Sequence, residues 1–239
     1  MGDTPDQKIN KLREFSACDV ADALLKLQKV EKGQKAHAGF LADIAPLSNF
    51  TRQPPGNAST VIAPASTFQF IPKNDPLPES ASTEEHGIPP GTHWVDWAQP
   101  DTIVLIDQPR GQSCAAVGGI MALRMKVLGV KAAVVNGRVR DLDELQDSKL
   151  PIWARGTSAV GAGAESKAGA RNVPISINEV SVSPGDIVFC DPVQGVVVIP
   201  KSLLEDVLAL MPKLVAADDK VKQDVLKGST VFEAFRKHR

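Results

Sequence analysis

The sequence has no excess of charge of either sign. Its 239 residues hold 27 Lys plus Arg against 28 Asp plus Glu, a formal net charge of -1. Nucleic-acid modules show a basic face or stripe, so no nucleic-acid partner is expected. No polybasic cluster offers a membrane anchor, and no uncharged apolar run reaches the ~20 residues that span a bilayer. Cysteine is scarce. Cys18, Cys114 and Cys190 are odd in number and widely spaced, with no CxxC and no Cys/His cluster. Neither a disulfide framework nor a structural zinc site is expected, and a reduced, cytoplasmic setting fits best. The opening MGDTPDQKIN lacks the apolar core of a secretory signal. Asp6 stands where a myristoylation signal after Gly2 needs Ser or Thr.

What is present is an ordinary globular balance, 43% hydrophobic and 23% charged. A chain of this mass buries roughly 70% of its unfolded surface without staples. One domain over 1–239 is expected, with a Pro-rich loop insert at 72–100 and an amphipathic tail at 201–239. Ser16 with Asp19 forms a capping box ahead of a helix near 17–30, with Val20, Ala23, Leu24 and Leu27 on one face. Two strands are expected at Ser59–Ala63 and Thr67–Ile71. The insert holds six prolines from Pro72 to Pro100 and reads as a lid, a binding loop or a solvated insert.

From Thr102 the pattern turns α/β. Thr102–Asp107 reads as a strand, Gly111–Gly119 as a flexible link, Ile120–Leu128 as a helix and Val130–Asn136 as a second strand. That is a βαβ unit with a right-handed crossover. Asn136-Gly137 is expected to break the strand, followed by a short helix at Arg140–Leu145 and a strand at Pro151–Ala154. Further strands are expected at Pro174–Ile177, Val180–Val182, Ile187–Cys190 and Val196–Ile199. In the tail, Leu203, Leu204, Val207, Leu208 and Met211 share a helix face, and Pro212 should stop or kink that helix.

Two segments flanking the βαβ crossover could carry chemistry. Gly118-Gly119 brings bare backbone to a helix N-terminus, where free N–H groups and the dipole favour an anion; tight packing would use the same glycines. Arg140-Asp141, with Asp143 and Glu144, follows the second strand, at the strand end where open α/β sheets bind ligands. Arg140 could grip a carboxylate through two hydrogen bonds, and Asp141 could hold a hard divalent cation. On their own these charges also suit a solvated turn. Together the two segments could converge on one small anion, and a 2-oxo acid that chelates a metal fits.

The run GQSCAAVGGIMALRMKVLGVKAAVVNGRVRDLDELQDSKLPIWARGTS resembles the core of the family named after the regulator of ribonuclease E activity A, the RraA-like family. Gly119, Arg140, Asp141 and Glu144 match its signature of Gly, twenty residues, Arg-Asp, two residues, then an acid. FSACDVADAL and SPGDIVFCDPVQGVVVIP are similar to other parts of the pattern. The family includes class II 4-hydroxy-4-methyl-2-oxoglutarate aldolases and oxaloacetate decarboxylases.

The resemblance implies an αββα sandwich of the swivelling phosphohistidine-domain type around the central βαβ unit. It implies a homotrimer or dimer of trimers with the site between subunits. Asp141 would ligate Mg2+ or Mn2+, Arg140 would bind substrate, and Glu144 would orient the site. Amides of the Gly118–Ala122 turn, with Gly118, Gly119, Ile120 and Met121 as binding residues, would hold the pyruvyl carboxylate. The expected activity is metal-dependent cleavage of small 2-oxo dicarboxylates to pyruvate. The alternative is a non-catalytic regulator of a ribonuclease or helicase complex. A quinone-precursor methyltransferase is disfavoured, since no nucleotide-binding glycine fingerprint is present.

Family aldolases often carry Asp where this chain has Gly119, which implies that decarboxylation outweighs aldol cleavage. Asp218 and Asp219 are candidates for an acid given by a second subunit. Asp186 and Asp191 read as turn formers, His86 and His93 as loop or lid residues, and Arg155 as a surface or site cation. Trp94, Trp97 and Trp153 read as packing anchors.

Overall fold

The computed structural model describes residues 4–30, 35–47 and 60–239. Among the described residues eleven strands run in chain order: β1 (Ala45–Pro46), β2 (Val61–Pro72), β3 (Ile103–Asp107), β4 (Ala115–Val117), β5 (Ala132–Val139), β6 (Ile152–Thr157), β7 (Ser166–Arg171), β8 (Ile175–Ile177), β9 (Val180–Val182), β10 (Ile187–Asp191) and β11 (Gly195–Ile199). The helices are α1 (Pro5–Leu12), α2 (Ala17–Leu27), α3 (Gly119–Val127), α4 (Leu142–Asp147), α5 (Leu204–Leu226) and α6 (Val231–His238). No helix among the described residues is long and apolar enough to cross a membrane.

Nine strands form one mixed sheet in the order β1-β6-β5-β3-β2-β10-β11, with β4 added to β5 and β7 added to β2. The segment after α2 nearly closes it. Phe40 bridges Val197 on the outer edge of β11, and a few residues later Ala45 and Pro46 pair with Ala154 and Trp153 of β6.

Period-2 alternation sorts the strand residues. Ala65, Leu105, Val134, Trp153, Val188 and Val198 point into an interior core. The β8–β9 hairpin adds Ile175, Ile177, Val180 and Val182 to that core. The alternate residues point outward. Val104, Ile106, Val135 and Ile152 meet Ala122 and Met125 of α3 and Leu145 of α4. Ile62, Ile187, Phe189 and Val197 meet α1, α2 and α5 through Leu12, Val20, Leu24, Val207 and Met211. Helices thus cover the two outer faces of a folded-over sheet, the αββα layering expected from the sequence.

Several boundaries differ from the sequence expectation. The strands expected at Ser59–Ala63 and Thr67–Ile71 are one strand, β2; Ser59 itself lies outside the described residues. Pro64 lies between the two expected segments. At that residue β2 changes partners, from β10 over Val61–Pro64 to β3 over Ala65–Gln69. The expected link at Gly111–Gly119 contains β4. Strand β5 runs through Asn136-Gly137 instead of breaking there. Its register against β6 shifts between Val135 and Arg138, so Asn-Gly makes an irregularity within the strand rather than a turn.

Pro212 does not stop α5, which continues to Leu226. Val207 and Met211 before it and Val221 after it are all buried, and this packing outweighs the one backbone hydrogen bond that proline removes. Strand β7 and the short helices α1 and α6 were not anticipated. The Ser16–Asp19 capping box on α2 is formed. Asp186 and Asp191 cap turns, accepting from Ser183 and Lys201 and from Val193 and Gln194 respectively.

Gly39 holds the closing segment against β11. Its φ is +70°, and an added β-carbon would overlap the Val198 carbonyl oxygen and lie 2.9 Å from Leu24 Cδ1. Gly39→Ala should cost about 3 kcal/mol, a fall in Tm of roughly 6–12 °C in calorimetry. At the other end of the chain, hydrogen bonds from Lys237 and His238 of α6 hold the Asp224 carboxyl of α5 at about 2. Because that value lies below the ordinary carboxylate range, this contribution to docking α6 is complete above that range and fades as pH falls toward 2. Hydrogen-exchange protection over 231–239, taken relative to the intrinsic rate at each pH, should fall in that window, and Asp224→Asn should show the lower protection already at pH 7.

Candidate active site

Strands β3, β5 and β6 are parallel, so α3 and α4 both begin at the same edge of the sheet. Strand β5 extends beyond β3, and its last residues, Arg138 and Val139, pair with Ala115 and Val117 of β4. This pairing sets the end of β4 beside the end of β5. Gly118 caps α3 without a side-chain bond, and the Arg140 N–H donates to Val117 O at 3.0 Å. Asp141 then turns the chain into α4 with a left-handed backbone, φ 58° and ψ 51°. That conformation is strained for most residues with a β-carbon and least so for Asp and Asn.

The turn aims the Asp141 carboxylate back at α3. Its Oδ2 accepts the Gly119 N–H at 3.2 Å and lies 3.5 Å from Arg140 Nε. The glycines make this approach possible. A β-carbon on Gly118 would lie 2.6 Å from Asp141 Oδ2 and 3.2 Å from Arg140 Nε. One on Gly119 would overlap the Glu144 carboxylate and the base of its side chain. Glu144 therefore fills the space that a side chain at 119 would need.

Gly118, Ile120, Met121, Arg140 and Asp141 line one cavity of about 150 Å³. Its remaining wall includes Ala116, Ala162, His93 and Trp94. Gly119 is buried directly behind it. The first turn of α3 has no acidic residue, while Arg124 and Lys126 lie in its last turn. With the Gly119 N–H held by Asp141, an anion at the N-terminus would meet the amides that follow it and the positive end of the dipole. Arg140 adds a full charge with its side chain 44% exposed, open enough to reach a ligand.

A cation here would have a sparse protein shell. No group of three or more His, Cys, Asp or Glu side chains suited to a metal exists among the described residues. Asp141 can offer one carboxylate. That donor set suits a hard cation that keeps most of its waters, such as Mg2+ or Mn2+, and not zinc, which takes three or four protein ligands.

A family model described as RraA-like, Aldolase/RraA, matches residues 17–198. The chain belongs to the RraA-like family. It is 26% identical over 235 residues to protein DlpA of Legionella pneumophila, covering 97% of this chain and 34% of that one. It is 35% identical over 135 residues to a Halalkalibacterium halodurans protein named "Putative 4-hydroxy-4-methyl-2-oxoglutarate aldolase", covering 56% of this chain and 62% of that one. The chain thus spans about a third of one relative's length and under two thirds of the other's. Its fold matches that of Streptomyces coelicolor RraAS2, described as an unusual member of the RNase ES inhibitor RraA protein family, with a TM-score of 0.67 at 22% identity over 96% of this chain and 100% of that one.

Of the other candidate residues, His93 and Trp94 line this cavity and the rest fall outside it. Asp218 pairs with Arg239, and Asp219 with Lys222. Arg155 donates to Asn136 at 2.5 Å and to Asn178, lining a separate opening of about 480 Å³ with Arg110 and Arg138. His86 contacts the Arg171 carbonyl. Trp153 is fully buried in the interior core, and Trp97 lies under the Arg171 guanidinium at 4.2 Å. Trp94 is buried and also reaches the cavity wall. Asp107 was missed. Burial pushes its carboxyl up despite a hydrogen bond from Asn136, and no sequence spacing announces that environment.

The two glycines should respond differently to alanine. At Gly118 the new methyl crowds one side-chain end, Asp141 Oδ2, and lies 3.2–3.3 Å from Nε and Cγ of the flexible Arg140 side chain. At Gly119 it meets the root of Glu144 as well. Gly118→Ala should keep Tm within about 4 °C, whereas Gly119→Ala should lose about 1–3 kcal/mol through overpacking. Thermal denaturation of the two variants checks the ordering.

Proposed function

We propose that this chain is a divalent-metal-dependent lyase that cleaves small 2-oxo dicarboxylates to pyruvate. Oxaloacetate decarboxylation leads, and retro-aldol cleavage of 4-hydroxy-4-methyl-2-oxoglutarate is the lesser activity. The observation that carries this reading is the convergence of the α3 amides, the Arg140 guanidinium and the Asp141 carboxylate on one small cavity. Membership of the RraA-like family and the aldolase name of the H. halodurans relative support it.

Asp141 would hold the cation, which when bound supplies Lewis-acid polarisation of a keto oxygen. The amides of Gly118, Ile120 and Met121 bind the carboxylate of the 2-oxo end, the Gly119 N–H being held by Asp141. Arg140 faces the same ligand and stabilises the negative charge that builds on the enolate oxygen as the carbon–carbon bond breaks. Glu144, packed against Gly119, keeps α3 and α4 at the spacing that aims Asp141 at the Gly119 amide. Decarboxylation needs enolate stabilisation and a later protonation. Retro-aldol cleavage also needs a base for the substrate hydroxyl, and no Asp stands at 119 to serve as one.

We also place this site at a contact between copies of the chain, as a homotrimer or dimer of trimers. Ile120, Leu123 and Val127 are exposed along α3 at helical spacing beside the cavity, an apolar stripe suited to burial against a protein surface.

The test is pyruvate release from oxaloacetate with Mg2+ or Mn2+ and with EDTA, after subtraction of the metal-only rate. Turnover should require the metal. Arg140→Ala and Asp141→Asn should each lower it by at least ~100-fold, with folding intact because Asn tolerates the left-handed backbone at 141. Activity surviving in either variant would refute these assignments. A folded oligomer with no turnover on either substrate would favour the regulator reading.

A further inference from the structure

The Pro-rich segment contributes a wall to the cavity. Its short turn Trp94–Trp97 is pinned from two sides. Trp94 sits edge-on to Phe68 and Phe70, with ring centroids 5.0 and 5.5 Å away. Asp96 pairs with Arg124 of α3 at 2.7 Å. His93 caps this turn, and its Nδ1 accepts the Val95 N–H at 3.3 Å. The ring lines the same cavity as Arg140 and Asp141.

That cap decides the tautomer. A neutral imidazole that accepts at Nδ1 carries its proton on Nε2. His93 therefore presents a donor on its far nitrogen, from a backbone held in place by Trp94 and Asp96. A 2-oxo dicarboxylate has two anionic ends. The α3 amides and Arg140 account for one. The wall beside His93 is otherwise small and apolar, through Ala115, Ala116 and Ala162, so His93 is the donor there for a second carboxylate.

We infer that His93 is a specificity-determining residue whose Nε2–H donates to the second carboxylate of a 2-oxo dicarboxylate. The inference rests on reading the cavity as a 2-oxo acid site. Two substitutions separate this role from the cap. The amide of Asn overlies Nδ1 of histidine, so His93→Asn keeps the cap and removes the donor. The amide of Gln overlies Nε2, so His93→Gln keeps a donor and gives up the cap.

The full chain with Mg2+ would be titrated calorimetrically with pyruvate and with 2-oxoglutarate, beside Arg140→Ala as a control. His93→Asn should bind 2-oxoglutarate about tenfold more weakly while pyruvate affinity stays within about twofold. His93→Gln should retain most of the preference for the dicarboxylate. Unchanged 2-oxoglutarate binding in His93→Asn, equal weakening toward both acids, or a larger loss in His93→Gln would each overturn the inference and leave the site reading standing. If the wild-type chain takes up neither acid, or Arg140→Ala binds both normally, the site reading fails and this inference falls with it.

Discussion

Strand β5 outlasts its neighbour β3, and the candidate site depends on that difference. Up to Asn136 the two strands run in parallel register. Beyond it β5 has lost its partner and takes up β4 instead. The exchange needs room at Gly137, where an added β-carbon would overlap Gln108 Oε1 and lie 2.8 Å from Gln108 Cβ. Gln108 can then accept the Arg138 N–H at 3.1 Å and donate to the Cys114 carbonyl at 2.9 Å. One buried amide thus ties the end of β3 to the start of β4 and to β5. Without it, the Arg138 N–H and the Cys114 carbonyl would lose this partner. With it, β4 lies flat on β5 and sets the start of α3 beside Arg140.

The same economy governs the charges. Helix α3 offers an uncapped N-terminus and receives its counter-charge from another element, through Asp141. That carboxylate is positioned by a left-handed residue, a conformation that holds only where its surroundings fix it. Here they do: the Arg140 N–H is bound to Val117, and the Leu145 N–H is bound to the Asp141 carbonyl at 2.9 Å. The strain at 141 lets the side chain turn back across the edge of the sheet, and the missing β-carbons at 118 and 119 let it arrive.

Much of this was legible in the sequence. The spacing from Gly119 to Arg140, Asp141 and Glu144 is that of one βαβ crossover, and a parallel pair must bring the two ends to one edge. The capping box at Ser16 and the short apolar runs of β10 and β11 between their turns read directly, because each depends on neighbours within a few residues. What could not be read depended on distant partners. Pro64 looks like a strand end until β10 and β3 are seen to divide β2 between them. Asn136-Gly137 looks like a turn until Gln108 fills the space above the glycine. His93 reads as one more loop histidine, since nothing local connects the Pro-rich segment to a cavity whose residues beyond that segment begin at Ala115.

The pair Gly119 and Glu144 shows how such distant dependence shapes chemistry. A side chain at 119 and the present position of Glu144 exclude each other, because both claim one volume. The carboxylate that occupies this volume is therefore supplied by α4, and at position 119 α3 offers only backbone. An aspartate placed at 119 in this chain could not simply add a second acid. It would have to displace Glu144, and with it the spacing of α3 and α4 that keeps Asp141 within reach of the Gly119 amide. Positions 119 and 144 must then behave as one energetic unit, with substitutions that do not add.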